Sequence, residues 1–359
     1  MIPFPVYIST PGIELPRTRL SNDEQLARVR ANFRGDEREW RRIEKRLRFV
    51  FHLCGSDERY IEANHEIPMA DYAVAAARDA LDGAGVDPAD VDMLINGSIA
   101  RDYFEPATAM EVAAKLGLPR VSHVFDVTCA CAGLLQAVHT AVAYMSLYDD
   151  VRNVVVCAAD LTKGRISYDI QDREQVALRA AGLTIGECAS AFVLSRDPLA
   201  SGGRLRAVRT ESMPEYFHLC QAPVHATFTS NSAELFRLNQ FVPDHVRRTL
   251  AEACLEPTEV DHWVCHQPSE SIVLKVLTEL GVDTDRAPLT HRHYGNSINS
   301  TVPVTLHHLL GERAVERGQT MLWHSAAAGF QMVSAVVEWC VASSPARAAD
   351  VAPAREEVA

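Results

Sequence analysis

The segment "FDVTCACAGLLQAV" (residues 125–138) sets two thiols, Cys129 and Cys131, after an apolar run and ahead of what reads as the first turn of a helix. Ala132 and Gly133 keep the backbone around Cys131 uncrowded. A thiol at a helix N-terminus feels the positive end of the macrodipole and unpaired backbone N–H groups, and both favour thiolate. Cys129 lies before that turn, where strand alternation turns it into the sheet layer. Taken alone, the segment fits a pair of core cysteines as well as a nucleophile. Two further segments add chemistry. "DHWVCHQPSES" (residues 261–271) places His266 just past a buried strand, and "HRHYGNSINSTVP" (residues 291–303) places Asn296 after a glycine in a loop that opens a helix. A Cys, a His and an Asn from three strand ends can supply a nucleophile, a group that handles protons and a neutral hydrogen-bond donor. The small-residue turn "SAAAGF" (residues 325–330) offers backbone amides that an oxyanion could approach closely.

The elements that must hold these groups alternate between helix and strand. Helical spacing over residues 71–86 is followed by an apolar strand at 91–98. A strand at 121–127, a helix at 133–145 and a strand at 151–159 come next. Strands this apolar, separated by helices, imply a largely parallel sheet covered on both faces, with its sites at the strand ends. The chain also repeats itself. "ALDGAGVDPADVDMLI" (80–95) lies on "TLAEACLEPTEVDHWV" (249–264) at an offset of 169 residues (249 − 80), matching Leu81 with Leu250, Pro88 with Pro257 and Val91-Asp92 with Val260-Asp261. Near the same offset, the Cys131 segment falls on the Asn296 loop and "NVVVCAAD" on "MLWHSAAA". The expectation is two similar halves, 1–200 and 201–341, related by a pseudo-twofold axis.

Three regions lie outside the repeat. Residues 22–49 form a charged helical insertion of mixed sign, whose arginines suit either a solvated face or the docking of an acidic carrier. Residues 161–181 and 209–240 read as irregular loops that shape a pocket. The tail 342–359, rich in Ala, Pro and charge, reads as disordered. A length of 359 residues with 47% apolar and 23% charged residues fits a soluble two-domain protein. A net charge of −12 argues against a nucleic-acid partner. No continuous apolar run of spanning length appears, so no membrane segment is expected, and the opening "MIPFPVYIST" lacks the features of a secretory signal. Nine cysteines, an odd number set mostly in apolar segments, read as reduced core residues of a cytoplasmic protein, and no ligand spacing suggests a metal.

With these residues in order, the chain resembles the thiolase-fold condensing enzymes, closest to the β-ketoacyl-acyl-carrier-protein synthase III subgroup. The motifs that carry the resemblance are "FDVTCACAGLLQA", "GECASAFVL", "VCHQP", "YGNSINSTVP" and "AAAGF", spread over residues 55–339. The resemblance implies an α/β, five-layer αβαβα fold of mixed, mostly parallel sheets, and a homodimer built through the N-terminal halves. It makes Cys131 the acyl-accepting nucleophile and Cys129 structural. It gives His266 and Asn296 the thioester carbonyl of the second substrate, and the amides of Cys131 and Ala328 the oxyanion hole. The family commonly has Gly-Gly-Gly-Phe where this chain has Ala327-Ala328-Gly329-Phe330, so two added methyl groups should tighten that wall.

Departures point to a specialised member. Glu105, 26 residues before Cys131 (131 − 105), stands where synthase III has an aromatic residue that caps the partner's acyl pocket. A carboxylate there resembles the head-to-head relatives, the olefin-biosynthesis thiolase and the ketosynthases that join two β-ketoacyl chains. In those it serves the neighbouring subunit as base for Cα deprotonation, and burial beside acyl chains would raise its pKa toward that task. The structural alternative is an N-cap or a salt-bridging Glu ahead of the helix that begins near Pro106. Ser269, Glu270 and Ser271 replace a basic residue after the His-Gln pair, which implies altered recognition of the pantetheine phosphate or carrier. The expected activity is a Claisen condensation of two acyl or β-ketoacyl thioesters in polyketide or fatty-acid-derived metabolism. It would proceed through acyl-Cys131, with no tightly bound cofactor and with phosphopantetheine, on acyl carrier protein or CoA, as the handle. The rivals are decarboxylative condensation of malonyl-carrier protein, acyl transfer from Cys131 to an alcohol or amine with His266 as base, and a non-catalytic dimer partner.

Overall fold

The structure is a computed structural model that describes residues 2–118 and 121–343. The tail expected to be disordered lies, from residue 344 on, outside the described residues. One ten-stranded sheet runs through the molecule, built from β1 (Tyr7–Ile8), β2 (Gly12–Glu14), β3 (Met93–Asn96), β4 (His123–Asp126), β5 (Asn153–Asp160), β6 (Cys188–Ser195), β7 (Gly203–Ser212), β8 (His262–Cys265), β9 (Thr320–Ala327) and β10 (Gln331–Trp339). The helices are α1 (Asn22–Asn32), α2 (Glu37–Cys54), α3 (Met69–Ala84), α4 (Thr108–Leu116), α5 (Gly133–Leu147), α6 (Arg173–Arg179), α7 (Ser232–Leu238), α8 (Val242–Glu252), α9 (Glu270–Leu280) and α10 (Thr301–Glu312), with shorter turns between them.

The strand order is β8-β9-β10-β7-β1-β6-β5-β3-β4, with β2 beside β6. In the first half β1, β3, β4 and β5 run one way and β6 runs against them; in the second, β7, β8 and β9 run one way and β10 against them. Each half is therefore mostly parallel by direction, and the halves meet antiparallel at β1 and β7. The repeat is visible in the elements themselves. Met93–Asn96 and His262–Cys265 stand 169 residues apart (262 − 93), as do the turns Pro88–Asp90 and Pro257–Glu259 that precede them.

Three cores give the layers. The largest lies between the halves, where α5 and α10 pack against inward residues such as Ile95, Val156 and Phe192 from one side and Trp323, Val333 and Val337 from the other. α3 and α4 cover the outer face of the first half, and α8 and α9 that of the second. This is the α/β, five-layer thiolase-like arrangement. The 18 residues Ala130–Leu147, mean hydropathy 1.3, are by length and composition apolar enough to cross a bilayer, although Gln136, His139, Thr140 and Ser146 interrupt the run. The fold uses them as a central core helix, half of whose residues are buried between the two sides of the sheet.

The helical insertion is built of two helices, α1 and α2. Asp36 ends the first excursion and starts α2 through a capping box with Glu39, as Ser21 does with Glu24 for α1. Their apolar faces, Leu26, Val29 and Phe33 against Trp40, Ile43, Leu47 and Phe51, close on Ile170, Val176 and Leu183 as a separate small core. The stretches expected to be irregular are partly ordered: α6 lies in one, and the end of β7 and all of α7 lie in the other. Their amphipathic runs are too short to show a period.

Candidate active site

Cys131 lies in a tight turn, Ala130–Ala132, that leads straight into α5. The turn is forced: Ala130 has φ 42° and Cys129 a non-helical φ −148°, ψ 44°. Two other loops carry a residue in the same left-handed region, Ile298 (φ 52°) two residues after Asn296 and Phe330 (φ 48°) two residues after Ala328. A β-branched Ile there is costly, and such strain persists where surrounding structure demands a particular backbone. Three of the five non-glycine residues with positive φ among the described residues thus sit on the three loops singled out for chemistry.

The loops are physically joined. Ser325 Oγ donates to the Cys131 carbonyl at 3.0 Å, tying the Cys131 turn to β9. The next residue back, His324, accepts the main-chain N–H of His266 at 2.7 Å, which fixes the end of β8 beside it. Asn299, in the loop of Asn296, accepts from Leu134 N (3.2 Å) and so serves an unpaired amide in the first turn of α5. Its Nδ2 in turn donates to the buried Asp160 at 2.8 Å, at the end of β5. Cys131, His266 and Asn296 therefore stand on segments that pack against one another across the two halves.

The electrostatics of each group follow from depth. Cys131 keeps a half-buried surface, but its deep position, then Cys220 and Asp160 nearby, push the thiol well up from its ordinary value. The helix end expected to favour thiolate is not at the thiol itself, since α5 begins two residues later, and burial acts in the opposite direction, raising the thiol. His266 is buried, and desolvation with His291 close by lowers its pKa to about 3, so the ring is neutral. Its Nδ1 is sealed without a partner among the described residues, which favours the tautomer with the proton on Nε2. Asn296 is anchored by main-chain bonds to Thr184 and Gly186, and its Oδ1 accepts Ile298 N at 3.1 Å. That leaves the amide NH2 to donate. The site thus presents a neutral thiol and two neutral donors.

Glu105 and Ala328 stand differently. Glu105 is exposed on the chain's surface and makes no hydrogen bond or ion pair among the described residues, so the burial expected around it is not supplied by its own chain. It is not a helix cap either: Asp126 accepts Thr108 N (3.0 Å) and Ala109 N (2.9 Å) at the start of α4. Beside it Phe104 is 76% exposed. Ala328 occupies the hairpin turn between β9 and β10, half-buried, with Gly329 and Phe330 after it. Ala327 is packed in the central core, so of the two added methyl groups one belongs to the core and not to the turn. Asp160, Asn299 and Ser325 were missed by sequence reasoning. The one available signal was an acid ending a wholly apolar strand, "NVVVCAAD".

Comparison with known proteins sets these segments in context. Residues 125–213 match the family model for 3-oxoacyl-[acyl-carrier-protein] synthase III, and residues 250–339 match the model for its C-terminal part. A β-ketoacyl-[acyl-carrier-protein] synthase III of Neisseria meningitidis is 27% identical over 343 residues, 92% of this chain and 98% of that protein. Among solved structures, a synthase III of Pseudomonas aeruginosa superposes with a TM-score of 0.78 at 24% identity, covering 94% of this chain and 99% of that one. A variant of Xanthomonas campestris OleA reaches a TM-score of 0.80 at 22% identity, covering 94% and 99%.

Proposed function

The chain belongs to the thiolase-fold condensing enzymes of the β-ketoacyl-acyl-carrier-protein synthase III-like kind, and from that premise we propose that it is a ketosynthase working through an acyl-Cys131 intermediate. The observation that carries this reading is the joining of the Cys131 turn, the end of β8 at His266 and the Asn296 loop through Ser325, His324 and Asn299. In the first step the Cys131 sulfur attacks an acyl thioester. The amides of Cys131 and Ala328 hold the oxyanion, the acyl–pantetheine C–S bond breaks, and the thiol proton leaves with the pantetheine sulfur.

In the second step His266 Nε2 and Asn296 Nδ2 hydrogen-bond the carbonyl of a second thioester. Neutral donors suit this task, because they stabilise an enolate oxygen without giving up a proton. The α-carbon loses a proton to Glu105 of the partner subunit and attacks the acyl-Cys131 carbonyl. A C–C bond forms, the Cys131 C–S bond breaks, and the leaving thiolate recovers as thiol the proton that Glu105 gives up through solvent. An imidazole with its pKa lowered to about 3 is a poor base toward an alcohol or amine, which favours this chemistry over acyl transfer.

The proposed dimer is supported by the edge strand β4, the exposed Phe104 and the unpartnered Glu105 on that side of the first half. The division near residue 200, with Cys131 and Glu105 before it and His266 and Asn296 after, belongs to the same reading. The handle is phosphopantetheine, on acyl carrier protein or CoA; a variant of X. campestris OleA of the same fold has been solved with lauric acid and lauroyl-CoA. Intact-protein mass after mixing with acyl-CoA tests the first step: a single acyl adduct is expected, absent in Cys131→Ala, and an adduct that survives this change ends the proposal. For the second step, Glu105→Gln should stop product formation from non-malonyl thioesters while leaving the acyl adduct unchanged. Undiminished condensation would return Glu105 to an idle surface group and require another base to remove the α-proton.

A further inference from the structure

α2 has a charge character unlike the rest of the chain. Its 18 residues hold six Lys/Arg against three Glu, whereas the remainder holds 29 Lys/Arg against 44 Asp/Glu (35 − 6 and 47 − 3). No other described helix carries more than two Lys/Arg. The carboxylates of the segment are already engaged. Glu37 meets Arg30 and Arg41, Glu44 meets Arg48, Glu39 closes the capping box on Asp36, and Asp57 just beyond meets Arg292. Arg38, Arg42, Lys45 and Arg46 remain exposed and without an ion pair among the described residues. Their spacing of four, three and one residues stacks them on one face, opposite the buried Trp40, Ile43, Leu47 and Phe51. Phe49, 62% exposed, and Leu53, 54% exposed, continue the exposed side toward the helix C-terminus.

The position of α2 gives the stripe a use. Its inner face packs on α6 and the turn Ala180–Thr184, and one residue later Ile185 pairs with Asn296. The neighbouring α1 is pinned to the same turn by Gln25, whose Nε2 donates to Leu183 O at 3.0 Å. At its other end α2 stops at Gly55 (φ 71°), directly against the Glu270 side chain at the start of α9. Arg292, in the turn just before Asn296, reaches both Asp57 and Glu270. α2 thus forms an outer layer on the segments that carry Asn296 and follow His266. The first turn of α9 itself offers only Ser269, Glu270 and Ser271.

We propose that the face of α2 carrying Arg38, Arg42, Lys45, Arg46, Phe49 and Leu53 is a docking surface for an acidic acyl carrier protein that delivers its phosphopantetheine thioester to Cys131. The proposal rests on the thioester reading above and adds to it the partner and the surface. Four unpaired cations on a chain of net charge −12 complement a carboxylate-rich partner, and the two exposed apolar side chains supply a contact that excludes water.

The test uses the full chain with Arg38, Arg42, Lys45 and Arg46 all changed to Glu, and a second set all changed to Gln. Acylation of Cys131 is followed by intact mass with two donors, octanoyl-acyl carrier protein and the uncharged-handle analogue octanoyl-pantetheine, across a range of NaCl. With the carrier, the Glu set should lose about tenfold or more in kcat/KM and the Gln set less. The wild-type rate should fall with salt while that of the Glu set does not. With octanoyl-pantetheine all three proteins should react alike, which also shows that the variants are folded. Undiminished carrier reaction in the Glu set overturns the dock, as does equal loss with both donors. Failure of the wild-type chain to react with either donor overturns the thioester reading itself, a separate result. If the Glu set instead loses binding to phosphatidylcholine–phosphatidylglycerol vesicles while carrier acylation holds, the stripe faces a lipid surface and the proposal falls.

Discussion

Gly97 and His266 occupy the same place in the two halves. Each comes directly after the strand that stands 169 residues from its counterpart, β3 or β8, and each donates its main-chain N–H at 2.7 Å to the neighbouring strand, Gly97 to Cys157 O and His266 to His324 O. The two halves put that shared backbone to different uses. At Gly97 the absence of a side chain lets the start of α5 come in: a Cβ there would lie 2.7–2.8 Å from the backbone of Gly133 and Leu134. At His266 the same position is filled by an imidazole held neutral by burial. One half uses its strand end to admit the helix that follows Cys131, the other to hold a buried neutral imidazole.

The sharpest way to break this comparison is to exchange the characters of the two positions. His266→Ala should reduce condensation by on the order of 10²–10⁴-fold while Cys131 still takes up an acyl group at near the normal rate. Product analysis beside intact mass separates the two steps, and equal loss of both would mean that His266 acts on the first substrate as well. Folding should be little affected, because the change removes a buried nitrogen that has no partner. Gly97→Ala should do the reverse. Its methyl must displace the backbone of Gly133 and Leu134, which sets the Cys131 turn out of register and slows acylation on the order of 10²-fold. Overpacking of this kind also costs about 1–3 kcal/mol in urea unfolding. A Gly97→Ala protein of normal stability and acylation rate would show that the close approach positions nothing.

Much of this arrangement is legible in the sequence because it is written in periodicity and in unusual residue types. The apolar run and helix at 125–147, the repeat at offset 169 and the Cys, His and Asn loops all reappear as elements with nearly the expected bounds. The long-range bonding between them cannot be read that way. Asp160 and Asn299 are 139 residues apart and meet only when β5 and the Asn296 loop are packed together. The state of Cys131 escapes the sequence for a similar reason. The helix end is a local feature that sequence displays, whereas the burial that raises the thiol is contributed by residues from both halves. Glu105 is the converse case. Its role as a cap is a local reading, but the cap is Asp126, reached only through the fold.

The smallest expected effect comes from the same asymmetry, since the deeply buried neutral histidines lie in the second half. Burial lowers His266 to about 3, His291 to about 4 and His324 well below its ordinary value. In the unfolded chain each would titrate near the usual value of about 6.5. Above that pH neither state binds the protons and the histidines take nothing from stability. As pH falls from about 6.5 toward 4, the unfolded chain binds protons that the folded chain refuses, so stability declines, with a limiting slope of about 1.4 kcal/mol per pH unit for each such histidine. Asp160, raised by burial, acts in the opposite sense just above its unfolded value and offsets part of the loss. Urea unfolding followed by tryptophan fluorescence suits the test, because Trp263, Trp323 and Trp339 all lie in the second half and are fully buried. Stability should fall steadily between pH 6.5 and 4, and His291→Gln should flatten the slope by up to one proton's worth. His291 is the better choice for this than His266, because its Nδ1 faces the Gln267 carbonyl at 2.8 Å and a glutamine amide can supply the same donor. A flat profile across that range would mean that water reaches these rings in the folded state. The acid sensitivity would then have to be sought in the carboxylates of the first half instead.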